Sequence, residues 1–156
     1  KVEKPTYKQN TALVEKLKAD AEARTAQMRN LVEKMMMKQG QTINGSMDYL
    51  MALKNGTVKA DPATRKQAQE DISEDGYWGV KQTSDRLVSF AKALTGGDPS
   101  KADEMMKAIE KGFGQASKAW GGDLPDICQK TLEATREKME EWRKSTSTEA
   151  AEKITE

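Results

Sequence analysis

Asp71, Glu74 and Asp75 are the side chains best placed to do chemistry in this 156-residue chain, and Tyr77 and Arg86 follow them closely. Such a group can act as an acid–base pair in a small-ligand or metal-assisted enzyme that also uses Arg86, with Tyr77 donating a proton, or it can bind a cation. The spacing argues against both. It lacks the alternating oxygen ligands and central glycine of a calcium loop, and acidic residues beside a helix N-terminus are ordinary partners of its dipole. The chain has no histidine, which removes the commonest general base and the commonest transition-metal ligand. Cys128 is the lone cysteine, so no intrachain disulfide forms, as in a reducing compartment, and a cytoplasmic location is favoured. A small enzyme built on the clustered carboxylates is therefore the lesser alternative. No catalytic residue, cofactor or metal is expected.

Two other short patterns carry little. Gly112-Phe113-Gly114 suggests a phosphate loop, but these glycines sit inside a helical pattern rather than between a strand and a helix. Each costs a helix about 1 kcal/mol against alanine, so close approach of a neighbouring helix is the expected reason for them. Gly76 and Gly79 take the same reading. Asn44-Gly45-Ser46 and Asn55-Gly56-Thr57 match the glycosylation acceptor pattern and read equally well as turns.

Tyr77 and Trp78 carry the binding signal. On a helix Trp78 points about 140° from the apolar line of Tyr77, Val80, Ser84, Leu87 and Ala91. Burial against the first long helix is the expectation, because an exposed tryptophan is an aggregation hazard. The alternative is an anchor for a partner, and the candidate partner surface is Tyr77, Trp78 and Arg86, with the turns at Gly96-Gly97 and Gly121-Gly122 nearby. The Met35-Met36-Met37 run spans about 200° of helix, so at least one methionine must leave the core face.

The elements that position these residues are helical. Leu13, Leu17, Ala21, Met28, Leu31, Val32 and Met35 recur at helical spacing between Asn10 and Lys38, and Gly40 ends that segment. A short helix follows from Met47 to Lys54. Asp61-Pro62 opens another that runs to Asp71, the aspartate capping and the proline losing nothing at the first position. Ser73 is placed to cap the next, which Gly96-Gly97 ends. Asp98-Pro99 opens a helix with Ala102, Met105, Met106, Ile109, Phe113, Ala116 and Trp120 on its inner face, and Gly121-Gly122 ends it. Phe113 and Trp120 are expected to be core anchors there. Pro125 starts the last helix, lined by Ile127, Thr131, Leu132, Thr135, Met139 and Trp142.

The expected fold class is thus all-α, a single-domain antiparallel helical bundle of about five or six helices over residues 1–145. Residues 146–156 form a polar C-terminal tail that should fray. A chain of this length buries roughly 70% of its unfolded surface. Charged residues make up 33% and aromatics 5%, a helix-favouring mixture. The longest apolar run, Tyr49 to Leu53, is too short to cross a bilayer, so the chain is expected to be soluble and to insert in no membrane. Residues 1–60 carry 11 basic and 6 acidic side chains, and the remainder 15 and 19. That asymmetry is too mild for a nucleic-acid module, and an ordinary solvated surface explains it.

The motifs from Ile72 to Arg86 and from Gly96 to Thr131, with Lys4-Pro5-Thr6-Tyr7 and the Ala12–Arg24 segment, resemble a bacterial all-helical family of clostridia and other flagellated bacteria. Its members are sometimes labelled "hydrogenase-4 component G". The resemblance covers most of the chain and implies the helical fold. It brings no catalytic residues. It also implies a polar, Ser/Asn/Tyr-rich segment ahead of Lys1, so that this chain is the ordered part of a longer protein. The expected function is that of a non-enzymatic helical interaction or scaffold domain binding an unidentified protein partner. The family's distribution implies the alternative of a flagellar or envelope-associated export partner.

Overall fold

A computed structural model describes residues 6–41 and 46–145, with the backbone alone at 46–49. The described residues form an all-α bundle of six helices: α1 Thr11–Lys38, α2 Ser46–Lys54, α3 Pro62–Asp71, α4 Val80–Thr95, α5 Ala102–Trp120 and α6 Asp126–Lys144. None is long and apolar enough to cross a membrane. The tail after Ser145 and the Asn44-Gly45 turn lie outside the described residues.

The helix ends follow local chemistry. Asn10 caps α1, its side-chain oxygen accepting from the Leu13 N–H at 3.2 Å. Asp61 caps α3 by accepting from Thr64 N–H at 2.7 Å, which holds its carboxyl below the usual range. Gly96 and Gly121 end α4 and α5 in the left-handed conformation. Asp98 and Pro99 open a 3₁₀ turn, Pro99–Lys101, that leads into α5.

Packing is centred on α4 and α6. They run parallel, with α5 antiparallel to α6 beside them: Arg136 of α6 meets Glu110 of α5, and the Trp142 Nε1–H donates to the Gly97 carbonyl at 3.3 Å. Small side chains let α4 and α6 approach. Ser84 and Ala91 are buried on one side and Thr131 and Thr135 on the other. Each threonine donates its hydroxyl to the carbonyl one turn earlier, Ile127 and Thr131, at 2.7 Å, so burial leaves neither oxygen unpaired. Val88, Ala91, Ala102, Met139 and Trp142 form the main apolar cluster, and Met105, Met106 and Ile109 pack against it.

α1 lies antiparallel to α4, its start fixed where the Asn10 N–H donates to the Ala93 carbonyl at 2.8 Å. At 28 residues it is about 42 Å long, against about 24 Å for α4. Its far end therefore passes the bundle and makes a second cluster, where Val32 and Met36 meet Ala52, Met35 and Val58. The expected continuous apolar line along α1 is corrected accordingly. Val14, Val32 and Met36 are buried, Ala21, Met28 and Leu31 are exposed, and Leu13, Leu17 and Met35 are half-covered. Of the methionine run, Met36 is buried and Met37 is 73% exposed. That split is what three consecutive helical residues require.

Three further expectations are corrected. Ser73 does not cap a helix: its hydroxyl donates to the Glu70 carbonyl at 2.6 Å, and α4 begins only at Val80 behind Gly79. Phe113 and Trp120 are not core anchors but half-buried, because α6 and α2 cover only part of the α5 face. Gly112 and Gly114 have no close neighbour; a Cβ on either would meet nothing within 4 Å.

Candidate functional site

The segment between α3 and α4 folds into consecutive turns rather than a helix. Trp78 N–H donates to the Asp71 carbonyl at 2.7 Å, Gly76 N–H to Ser73 at 3.0 Å and Gly79 N–H to Gly76 at 3.1 Å. The backbone closes so tightly that a Cβ on Gly76 would collide with the Glu70 and Asp71 carbonyl oxygens, and one on Gly79 with that of Ser73. Close approach was the expected role for these two glycines. The neighbour is the chain's own preceding turn rather than a second helix. Gln82 ties the turn to α4 by donating its amide to the Asp75 carbonyl at 2.7 Å.

This turn replaces the helical geometry expected for Tyr77 and Trp78. Their rings meet edge to face, with centroids 4.9 Å apart at 86°. Both are half-buried. Trp78 is half-buried rather than buried, and α1 reaches the Tyr77 ring through Arg24, whose guanidinium carbon lies 4.3 Å from the ring centroid. Arg86 of α4 sits 3.8 Å from the same centroid and 5.6 Å from that of Trp78. Its Nη2 donates to Thr83 Oγ1 at 3.1 Å. Burial pulls the Arg86 guanidinium below its ordinary pKa; Tyr77 opposes that shift and the charge of Arg24 adds to it.

The structure thus brings together the three predicted surface residues Tyr77, Trp78 and Arg86, and adds Arg24. Among the described residues, neither arginine forms an ion pair with a carboxylate. Arg24 had a signal in the sequence. It falls between Ala21 and Met28 at helical spacing, a cation standing where the apolar line would continue.

No family model, curated protein or solved structure matches the chain.

The carboxylates do not converge. Asp71 Oδ1 accepts from the Gln67 amide at 3.0 Å, Asp75 contributes its backbone carbonyl to Gln82, and Glu74 is exposed. Among the described residues no three carboxylate or thiol groups are placed to hold one metal ion. Arg86 and Tyr77 are engaged with each other rather than with these acids.

A shallow groove of about 630 Å³ lies between the Ile72–Lys81 segment and α6. On its floor Lys138 Nζ donates to Ser84 Oγ and to Asp85 Oδ1, both at 2.6 Å, a pair that the sequence did not suggest. A serine nucleophile needs a base beside it. Here the ammonium donates to an adjacent carboxylate, and Ser84 is fully buried and donates to the Lys81 carbonyl at 3.0 Å. The trio fastens α4 to α6.

Proposed function

We propose that this chain is a non-enzymatic helical interaction domain that holds a protein partner on the face formed by Arg24, Tyr77, Trp78 and Arg86. The observation that carries the reading is the convergence of two guanidinium groups on one tyrosine ring with no carboxylate paired to either among the described residues. Like charges held near each other cost free energy unless a counter-charge arrives. Tryptophan, tyrosine and arginine are also the side chains that dominate binding energy at protein interfaces. Both rings of the face are half-buried, leaving large aromatic surface of the kind that anchors a macromolecular partner.

Two backbone clamps support this role by fixing the rings before any partner arrives. Gly76 and Gly79 admit the tight turn, and Gln82 locks it to α4. The resemblance to the flagellated-bacteria family, whose motif spans this same turn, adds an export partner of the flagellum or envelope as the setting.

Affinity capture from lysates of a flagellated clostridium, with wild-type and Arg86→Glu chains side by side, tests the reading. A protein retained in stoichiometric amount by the wild type and lost with Arg86→Glu is the expected result. Identical retention by both chains overturns it.

A further inference from the structure

We infer that the Arg24–Tyr77–Trp78–Arg86 face recognises a carboxylate-rich peptide segment that carries an apolar side chain beside its acids. This rests on the reading of that face as the partner surface and names the chemistry of what it binds.

The argument begins with Arg86. Its contact with Thr83 uses Nη2, and its planar fork lies over Tyr77, held in place by both. The rest of the fork is free of carboxylate among the described residues. A fixed, half-buried guanidinium edge is suited to a planar oxyanion, which it meets with two parallel hydrogen bonds. Burial of Arg86 and the nearby positive charge of Arg24 both disfavour its charged form when nothing negative is bound. An arriving carboxylate reverses that imbalance and at the same time bridges α1 to α4.

Trp78 supplies the second half of the recognition. Its indole stands edge to face with Tyr77 and is half-exposed, with the Arg86 guanidinium carbon 5.6 Å from its centroid. An apolar side chain next to the carboxylate would cover it. The surroundings select against a polyanion such as a nucleic-acid backbone. Glu74 and Asp75 are exposed in the turn just before the rings, and Asp71 closes α3 ahead of it. A continuous row of phosphates would meet these acids, whereas a short peptide places a few carboxylates at the two arginines alone.

Fluorescence anisotropy of a labelled peptide of alternating glutamate and leucine, titrated with the whole 156-residue chain, tests this directly. Binding should be saturable, and replacing every glutamate by glutamine should weaken it by about tenfold or more, the scale of a charge-assisted hydrogen bond. Arg86→Gln and Arg24→Gln should each weaken it as well. Arg136→Gln, which breaks an ion pair with Glu110 elsewhere on the bundle, should leave it unchanged. Equal affinity for the glutamate and glutamine peptides overturns the inference, as does full displacement by millimolar inorganic phosphate at constant ionic strength. If the acidic peptide fails to bind while capture of a native protein still depends on Arg86, the face stands as the partner surface and its carboxylate preference falls.

Discussion

The backbone of Lys8 crosses Gly96 so closely that a Cβ on the glycine would overlap the Lys8 carbonyl and amide. Gly96 is also left-handed, at φ 68°, and ends α4. One residue thus closes a helix and seats the N-terminal segment that leads into α1. Gly96→Ala should cost at least about 2 kcal/mol, about half from the left-handed backbone and the rest from displacing Lys8. Gly40→Ala is the comparison: its φ is 71° but its surroundings are open, so only the backbone cost applies. Urea denaturation of the two variants should separate them. Equal losses would show that the Lys8 crossing is not a stable contact.

Gly112 and Gly114 make the opposite case. Both are helical and exposed, and neither has a neighbour that a methyl group would touch. Each alanine substitution should stabilise the chain by about 1 kcal/mol, since a helix interior favours alanine over glycine by that amount. A destabilised Gly112→Ala variant would show that the α5 surface is covered in solution.

Trp142 and Phe113, on α6 and α5, should differ in cost. Trp142 is 4% exposed, with its indole N–H paired to Gly97, so Trp142→Ala should lose about 3–5 kcal/mol. Phe113 is half-buried on a partly covered face, and Phe113→Ala should lose about half as much. Chemical denaturation midpoints check the ranking, and a Phe113 loss matching that of Trp142 would contradict it.

Cys128 gives a pH-dependent prediction. Burial pushes its thiol above the ordinary value, so the unfolded chain ionises first as pH rises. Stability should therefore fall once pH exceeds about 8.5, the unfolded thiol value, and level off above the folded one. Iodoacetamide should modify Cys128 more slowly in the native chain than in urea at pH 8.5. Equal rates would place the thiol in open solvent.

Much of the architecture was legible because helix ends are written locally. Asn10, Asp61-Pro62, Gly96-Gly97-Asp98-Pro99 and Pro125 each mark a boundary within a residue or two of its place. The start of α4 was not, since Ser73 offers a capping hydroxyl and only the collision at Gly76 and Gly79 shows why the chain turns instead. Phe113, Trp120 and the middle of α1 were misplaced for a different reason. Periodicity tells which side of a helix is apolar, and it does not tell whether a neighbour is long enough to cover it. Of the candidate site, Tyr77, Trp78 and Arg86 are close in sequence and also lie together in the structure. Arg24 comes from another helix, and only the docking of α1 along α4 brings it to Tyr77.

The proposed role of the Tyr77–Trp78 face is to bind a partner rather than to complete the core. The measurement that separates these is Trp78→Ala examined for stability and for partner retention in the same preparation. Half-burial outside both apolar clusters predicts a loss of about 1 kcal/mol in urea denaturation, together with loss of the captured partner. A loss of about 3 kcal/mol or more, or undiminished retention of the partner by a folded Trp78→Ala chain, would contradict it.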